Sequence, residues 1–167
     1  AFQMNAGASA ARSPALLFLH ADTYLPPGAT SLVKQALARR EWGRFDVRLS
    51  GRHPLLRMVE WLISLRSRLS GIATGDQAIF VRREVFERIG GYEEIPLMED
   101  VALSRTLRRI APPACLWAPV RSSSRRWETH GIWRTIFLMW QLRWMYWRGA
   151  DPRDLHGRYY GEKKSIS

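Results

Sequence analysis

The stretch Ala15 to Asp22, ALLFLHAD, is the part of the sequence that most strongly indicates the fold. Its apolar run from Ala15 to His20 is too short for a helix, and the turn-forming residues 26–28 follow it, which is typical of a buried strand in a parallel sheet. Residues 29–40 carry apolar side chains at helical spacing, so a helix is expected next. A buried strand followed by a crossover helix predicts an α/β fold.

The same alternation continues along the rest of the chain. The stretch 42–49 alternates loosely between apolar and polar residues and predicts a half-exposed strand. A polar, basic loop is expected from Ser122 to Arg126. Further strands are expected over 78–81 and 114–120, and helices over 54–69, 83–89, 97–110 and 132–147.

Length and composition exclude several classes of protein. The chain has 167 residues, which is the length of one domain, and its 46% hydrophobic and 25% charged residues exclude a disordered or fibrous protein. Its single cysteine, Cys115, excludes an internal disulfide framework, and with only four histidines it argues against a Cys/His zinc site. We see no leader-like stretch after Ala1, and we expect a cytoplasmic protein or one peripheral at the inner face of the membrane.

The charge is strongly basic, with 26 Lys+Arg against 15 Asp+Glu and a net charge of +11. Such a charge suits a phosphate-bearing substrate, an anionic lipid surface or a nucleic acid, although a genome that favours arginine codons would also produce it. Nucleic acid is the least favoured partner, because the arginines are dispersed and no RRM, KH, zinc-finger or helix-turn-helix signature is present.

The expected helix from Ile132 to Trp147 has an unusual composition. It is apolar, yet arginines interrupt it and leave no uncharged stretch near the ~20 residues that a membrane span needs. A tryptophan stripe (Trp133, Trp140, Trp144 and Trp147) lies beside a polar stripe (Arg134, Gln141 and Arg148). This pattern suits a lipid interface, and it equally suits aromatic packing on the sheet or on another subunit. A non-catalytic module that binds membranes through residues 132–148 is therefore an alternative function.

Three short motifs carry residues suited to catalysis or binding. His20 and Asp22 could converge on Mg²⁺ or Mn²⁺ bridging phosphate oxygens, or serve as a core-edge residue and a turn. The pair Glu99-Asp100 could supply a general base, or merely stabilise the start of a helix. The stretch 125–127, Arg-Arg-Trp, could clamp a diphosphate and stack on a sugar, or form a solvated turn with a buried tryptophan.

The order of these motifs resembles the family 2 inverting glycosyltransferases of the GT-A fold. That family has an Asp-x-Asp metal motif, a Gly-containing acceptor loop running into Arg-Arg, a Glu-Asp catalytic pair and a Gln-x-x-Arg-Trp motif. The chain is more particularly similar to the bacterial arsenosugar-biosynthesis glycosyltransferases, and the resemblance runs from about Gln3 to Tyr159. The stretches that carry it are LLFLHADT, WGRFDVRL, GIATGDQAIFVRR, IPLMEDVALS and SSRRWE.

The resemblance implies transfer of a sugar from a nucleotide-sugar donor to a hydroxyl acceptor. It implies a partial GT-A, Rossmann-like mixed sheet flanked by helices over residues 1–128, and an amphipathic helix with a basic tail over 129–167. The implied roles are metal binding by Asp22 and His20 with Mn²⁺ or Mg²⁺, catalysis by Asp100 with Glu99, donor binding by Asp22, Arg125 and Arg126, and acceptor binding by Gly75, Asp76, Gln77 and Trp127.

The chain differs from the family at three points. His20 replaces the first acid of Asp-x-Asp, and Ser123 stands where Gln-x-x-Arg-Trp has glutamine. The family's opening strands, which include the aspartate that grips the nucleotide base, have no counterpart in the sequence. We therefore expect the chain to correspond to the C-terminal part of such an enzyme and to have weak or no transferase activity by itself.

Overall fold

Helices and strands are interspersed along the chain, and the computed structural model describes residues 1–160 of it. The predicted α/β class is confirmed. The end of the expected basic tail, residues 161–167, lies outside the described residues. The elements are α1 (Phe2–Ala10), β1 (Ala15–Leu17), β2 (Thr23–Tyr24), α2 (Ala29–Leu37), β3 (Trp42–Leu49), α3 (Pro54–Ser70), a 3-10 helix (Gly75–Gln77), β4 (Phe80–Arg82), α4 (Arg83–Arg88), α5 (Glu99–Ile110), β5 (Ala114–Ser122), α6 (Arg125–His130), α7 (Ile132–Trp147) and α8 (Pro152–Tyr160).

The strands form one mixed sheet in the order β1-β4-β3-β5-β2. Within residues 1–160, β3 and β5 pair in parallel, whereas the other strand pairs are antiparallel. The prediction that β1 pairs within a parallel sheet is therefore wrong, although β1 does run in the same direction as β3 and β5. The physical reason is that an apolar run reports burial and not the direction of the neighbouring strand, which here is β4.

The central strand β3 is more deeply buried than its alternating pattern predicts. It lies between β4 and β5, and Trp42, Arg44 and Phe45 have no exposed surface. Arg44 pairs with Asp46 and donates to the backbone oxygen of Ser64, at 3.0 Å, on α3. Arg44 and Asp46 are thus neutralised within the protein, whereas Arg48 is exposed. Because six of the eight residues of β3 are buried, the expectation of a half-exposed strand is wrong.

Gly43 is a position where the sheet has no room for a side chain, because a Cβ there would overlap the carbonyl oxygen of Ala114 and the ring of Phe80. We expect Gly43→Ala to lower the free energy of unfolding by about 2 kcal/mol or more, since β3 would have to move away from β5. Urea denaturation measures the change. The matched control is Gly7→Ala in α1, where the added Cβ would meet no described atom within 4 Å apart from its chain neighbours and the backbone of its own helix, and the change should raise stability by about 0.5–1 kcal/mol. An unchanged midpoint for Gly43→Ala would contradict this close approach.

After β5, two helices occur where none was predicted. Arg125 to Trp127 belong to the first turn of α6, so the expectation of a polar loop there is wrong beyond Ser124. The second, α8, contributes Leu155, which is buried with Leu142 of α7 and with Met98. Both helices are short, so their stability comes from tertiary contacts that a local pattern does not reveal.

Candidate active-site cleft

A cleft with a volume of about 490 Å³ opens at one end of the sheet. Leu49 and Ser122, the last residues of β3 and β5, line it, together with His20 and Asp22 from the segment after β1. Because β1, β3 and β5 run in the same direction, their carboxyl ends meet here. This is the edge at which open α/β sheets bind ligands.

Most of the predicted site residues meet in this cleft. Those that line it are His20, Asp22, Gly75, Asp76, Glu99, Asp100, Arg126 and Trp127. Arg125 does not line it and is exposed to solvent. Gln77 does not line it either, because its side chain is fully buried and its Oε1 accepts a hydrogen bond from the backbone N of Thr74, at 3.2 Å. Gln77 therefore holds the 3-10 helix in shape.

Asp100 lies in the first turn of α5, and two backbone N–H groups donate hydrogen bonds to its carboxylate. Its Oδ2 accepts from the N–H of Gly75 and its Oδ1 from the N–H of Val101, each at 2.7 Å. The residue before this helix turn, Met98, has a φ of 68° and so occupies the left-handed region, which is costly for a side chain other than glycine. Its buried contacts with Leu142 and Leu155 stabilise that conformation. The C-terminal helices thus help to position Asp100.

Burial raises the pKa of the Asp100 carboxyl, and the neighbouring Glu99 raises it further. The two N–H donors, from Gly75 and Val101, act in the opposite direction, and Asp76 adds a smaller upward contribution. The net pKa is above the ordinary aspartate value. A carboxylate with a raised pKa, held at the wall of a cleft, is a suitable proton acceptor.

Gly75 links the His20 segment to Asp100. A Cβ at Gly75 would overlap the ring of His20 at Nε2, so the imidazole lies directly against the backbone of Gly75. The same residue donates its N–H to Asp100. The sequence presents His20, Gly75 and Asp100 as three separate motifs, whereas in the structure they are in contact one after another.

His20 and Asp22 provide an imidazole and a carboxylate for an ion. Both side chains are exposed to solvent, and a tight turn between them is closed by the N–H of Thr23 donating to the carbonyl of His20 at 3.1 Å. Among residues 1–160, no group of three or more His, Cys, Asp or Glu side chains is arranged to hold a metal ion. Two protein donors suit an ion such as Mg²⁺ or Mn²⁺ only when substrate phosphates and water complete its coordination.

Arginines form the other side of the cleft, and sequence reasoning missed two of them. Arg66 of α3 lines the cleft, and its Nε and Nη2 are buried without a hydrogen-bond acceptor within the described part of the chain. Burial lowers its pKa to about 10, and Arg143 of α7 lowers it as well, whereas Asp76 and Asp100 raise it. Arg143 also lines the cleft. A buried guanidinium with unpaired donors is costly unless an anion binds there.

Arg126 and Trp127 lie at the rim, where α6 meets α8. The Arg126 guanidinium stacks 3.5 Å above the ring of Tyr159, and its Nη2 donates to the backbone oxygen of Tyr159 at 3.0 Å. Trp127 is partly buried against the apolar cluster around Val47 and Val59, and it also lines the cleft. Trp127 is thus both a packing anchor and part of the cleft wall.

Comparisons with protein-family models, with curated proteins and with solved structures find no match to this chain. Its function therefore has to be inferred from the cleft: a carboxylate of raised pKa, an imidazole and carboxylate pair, and a set of arginines.

Proposed function

We propose that this chain carries the catalytic cleft of a GT-A-type, family 2 inverting glycosyltransferase of the arsenosugar-biosynthesis kind. The observation that carries the proposal is the position of Asp100, a carboxyl of raised pKa, in one cleft with Asp22, His20 and three arginines. The cleft lies at the carboxyl ends of three codirectional strands, as expected for a ligand site of an α/β protein. We expect this activity in the cytoplasm, on a nucleotide-sugar donor and a hydroxyl acceptor.

Asp100 is the general base in this mechanism. The acceptor oxygen attacks the anomeric carbon of the donor, while its proton passes to a carboxylate oxygen of Asp100. The bond between the anomeric carbon and the diphosphate oxygen breaks on the opposite face, and its electron pair leaves with the diphosphate. A single displacement inverts the anomeric centre. The N–H groups of Gly75 and Val101 orient the carboxylate for this transfer.

The leaving diphosphate gains negative charge, and the arginine side of the cleft is placed to stabilise it. The family resemblance implies that Arg125 binds the donor. We assign this role to Arg66 and Arg143 instead, because they line the cleft and Arg125 does not. Arg126 contributes from the rim. Asp22 and His20 would hold Mn²⁺ or Mg²⁺, which when bound supplies positive charge to the diphosphate.

The acceptor side is formed by the 3-10 helix and α6. Gly75 and Asp76 line the cleft beside Asp100, and Trp127 offers an aromatic surface on which a sugar ring can stack. Gln77 contributes only indirectly, by fixing the shape of the 3-10 helix.

Nucleotide binding tests the proposal without requiring turnover. The purified chain is titrated with a panel of nucleoside diphosphates and nucleotide sugars, with and without Mn²⁺, while its thermal midpoint is measured. We expect a rise in the midpoint that depends on both the nucleotide and the metal, because a ligand that binds only the folded state stabilises it. No rise with any nucleotide, with or without Mn²⁺, would contradict the proposed donor site.

Replacing Arg66 should weaken the binding of a nucleoside diphosphate. We expect Arg66→Met to raise the Kd about tenfold or more, because the variant keeps the apolar stem and loses charged hydrogen bonds to the phosphates. Isothermal titration calorimetry in the presence of Mn²⁺ measures the change. The matched control is Arg125→Met, which removes the same charge outside the cleft and should leave the Kd unchanged. Equal affinities for both variants would remove Arg66 from the diphosphate site.

A further inference from the structure

One face of α7 exposes a row of large aromatic side chains, which we call the aromatic face. It consists of Trp133, Phe137, Trp140, Trp144 and Trp147, whose exposed fractions are 56%, 70%, 67%, 57% and 73%. Their spacing, alternately four residues and three, places them on one side of the helix. The protein instead buries Thr135 and Leu142 of the same helix. The aromatic face therefore makes little contribution to folding.

Residues 131–150 around the aromatic face are basic. They include no aspartate or glutamate. Arg134 and Arg148 are exposed beside the aromatic face, and the Arg148 guanidinium lies 5.2 Å from the ring centre of Trp144. The surface thus combines exposed indoles with exposed positive charge, and the whole chain carries a net charge of +11. An anionic partner fits this combination.

The charges argue against a second copy of the chain as the partner. An alternation of four and three residues is the spacing of a two-stranded coiled-coil seam, so two aromatic faces could in principle pair. In a parallel pair, Arg143 would then lie opposite Arg148 of the other copy. In an antiparallel pair, Arg134 would lie opposite Arg148. Both arrangements set arginine against arginine without a carboxylate nearby, which disfavours self-association.

The composition of α7 suits a surface position on a bilayer. The described part of the chain, residues 1–160, contains no helix with the length and hydrophobicity of a membrane span. Tryptophan and arginine both favour the headgroup region, where the indole is half-immersed and the guanidinium meets phosphate. A helix with one aromatic face and flanking arginines can lie parallel to the membrane plane.

We propose that the aromatic face docks this chain on a bilayer surface that contains anionic phospholipid. Trp140 belongs to the aromatic face and also lines the cleft, so docking places the mouth of the cleft at the membrane surface. The inference concerns membrane binding alone and stands independently of sugar transfer.

Vesicle co-sedimentation tests this docking. Vesicles of phosphatidylcholine and phosphatidylglycerol in a two-to-one ratio are compared with vesicles of phosphatidylcholine alone. We expect the chain to sediment with the anionic vesicles, with affinity about tenfold lower on neutral vesicles and reduced by added salt. The double variant Phe137→Gln/Trp144→Gln should lose about tenfold or more in affinity, since two large apolar side chains no longer enter the interface.

The matched control changes two exposed apolar residues of α3. Trp61→Gln/Leu69→Gln alters side chains with exposed fractions of 61% and 79%, and it should retain the affinity of the unchanged chain. No sedimentation of the unchanged chain with anionic vesicles, or an equal loss in this control, would overturn the proposal. Light scattering after size exclusion gives a further outcome: a dimer that becomes a monomer in the α7 variant, without vesicle binding, would identify the aromatic face as a self-association surface.

Discussion

Asp100→Asn is expected to lower the turnover of sugar transfer about a thousandfold, the largest effect that we predict. Asparagine retains the size of the side chain and one oxygen for the N–H of Gly75, but it cannot accept the proton of the acceptor hydroxyl. Donor binding should therefore persist. Initial rates of nucleoside diphosphate release, measured on this sequence within an intact enzyme of the proposed family, test the prediction, and retained turnover would remove Asp100 from the role of base.

The pH dependence of the same residue provides an independent check. A base acts when ionised, so the rate should rise with pH through the raised pKa of Asp100 and level off above it.

The stability of the folded protein should change with pH in the opposite direction. A carboxyl whose pKa is raised in the folded state stabilises the protein below its ordinary pKa, near 3.9, and this contribution is lost as pH rises through the raised value. The decline should be absent in Asp100→Asn, as unfolding by urea at several pH values would measure. An equal decline in the variant would show that another group titrates.

Asp22→Ala is expected to abolish the metal-dependent part of nucleotide binding. In our proposal Asp22 is the only carboxylate that holds the ion, so its loss should lower the affinity for a nucleoside diphosphate in the presence of Mn²⁺ about a hundredfold. The residue is exposed to solvent, so the fold should tolerate the change. The shift in thermal midpoint with Mn²⁺ and nucleotide measures the effect.

Glu94→Ala is the matched control for Asp22→Ala. Glu94 is also an exposed carboxylate, and it does not line the cleft. It should leave the metal-dependent shift unchanged. Equal metal-dependent binding by the unchanged chain and by Asp22→Ala would place the ion elsewhere.

The order and type of most elements could be predicted from the sequence. The strand over 42–49 coincides with β3, and the helix predicted over 54–69 ends one residue earlier than α3. Local signals account for this success: Pro54 suits a first helical turn, and Gly71, with a φ of 66°, ends the helix in the left-handed conformation. Most of the site residues implied by the family resemblance line the cleft. His20 and Asp22 follow β1, and Arg126 and Trp127 follow β5, so the shared direction of these strands brings the two pairs to one edge of the sheet.

The arrangement of those elements could be decided only by the tertiary structure. The antiparallel partner of β1, the full burial of Arg44 and the left-handed conformation of Met98 all depend on contacts between distant segments. The same holds for Arg66, since its place beside Asp100 follows from how α3 crosses the sheet and not from its neighbours in sequence. Periodicity and capping report the local energetics of a segment, whereas strand partners and the charges that share a cleft depend on long-range packing.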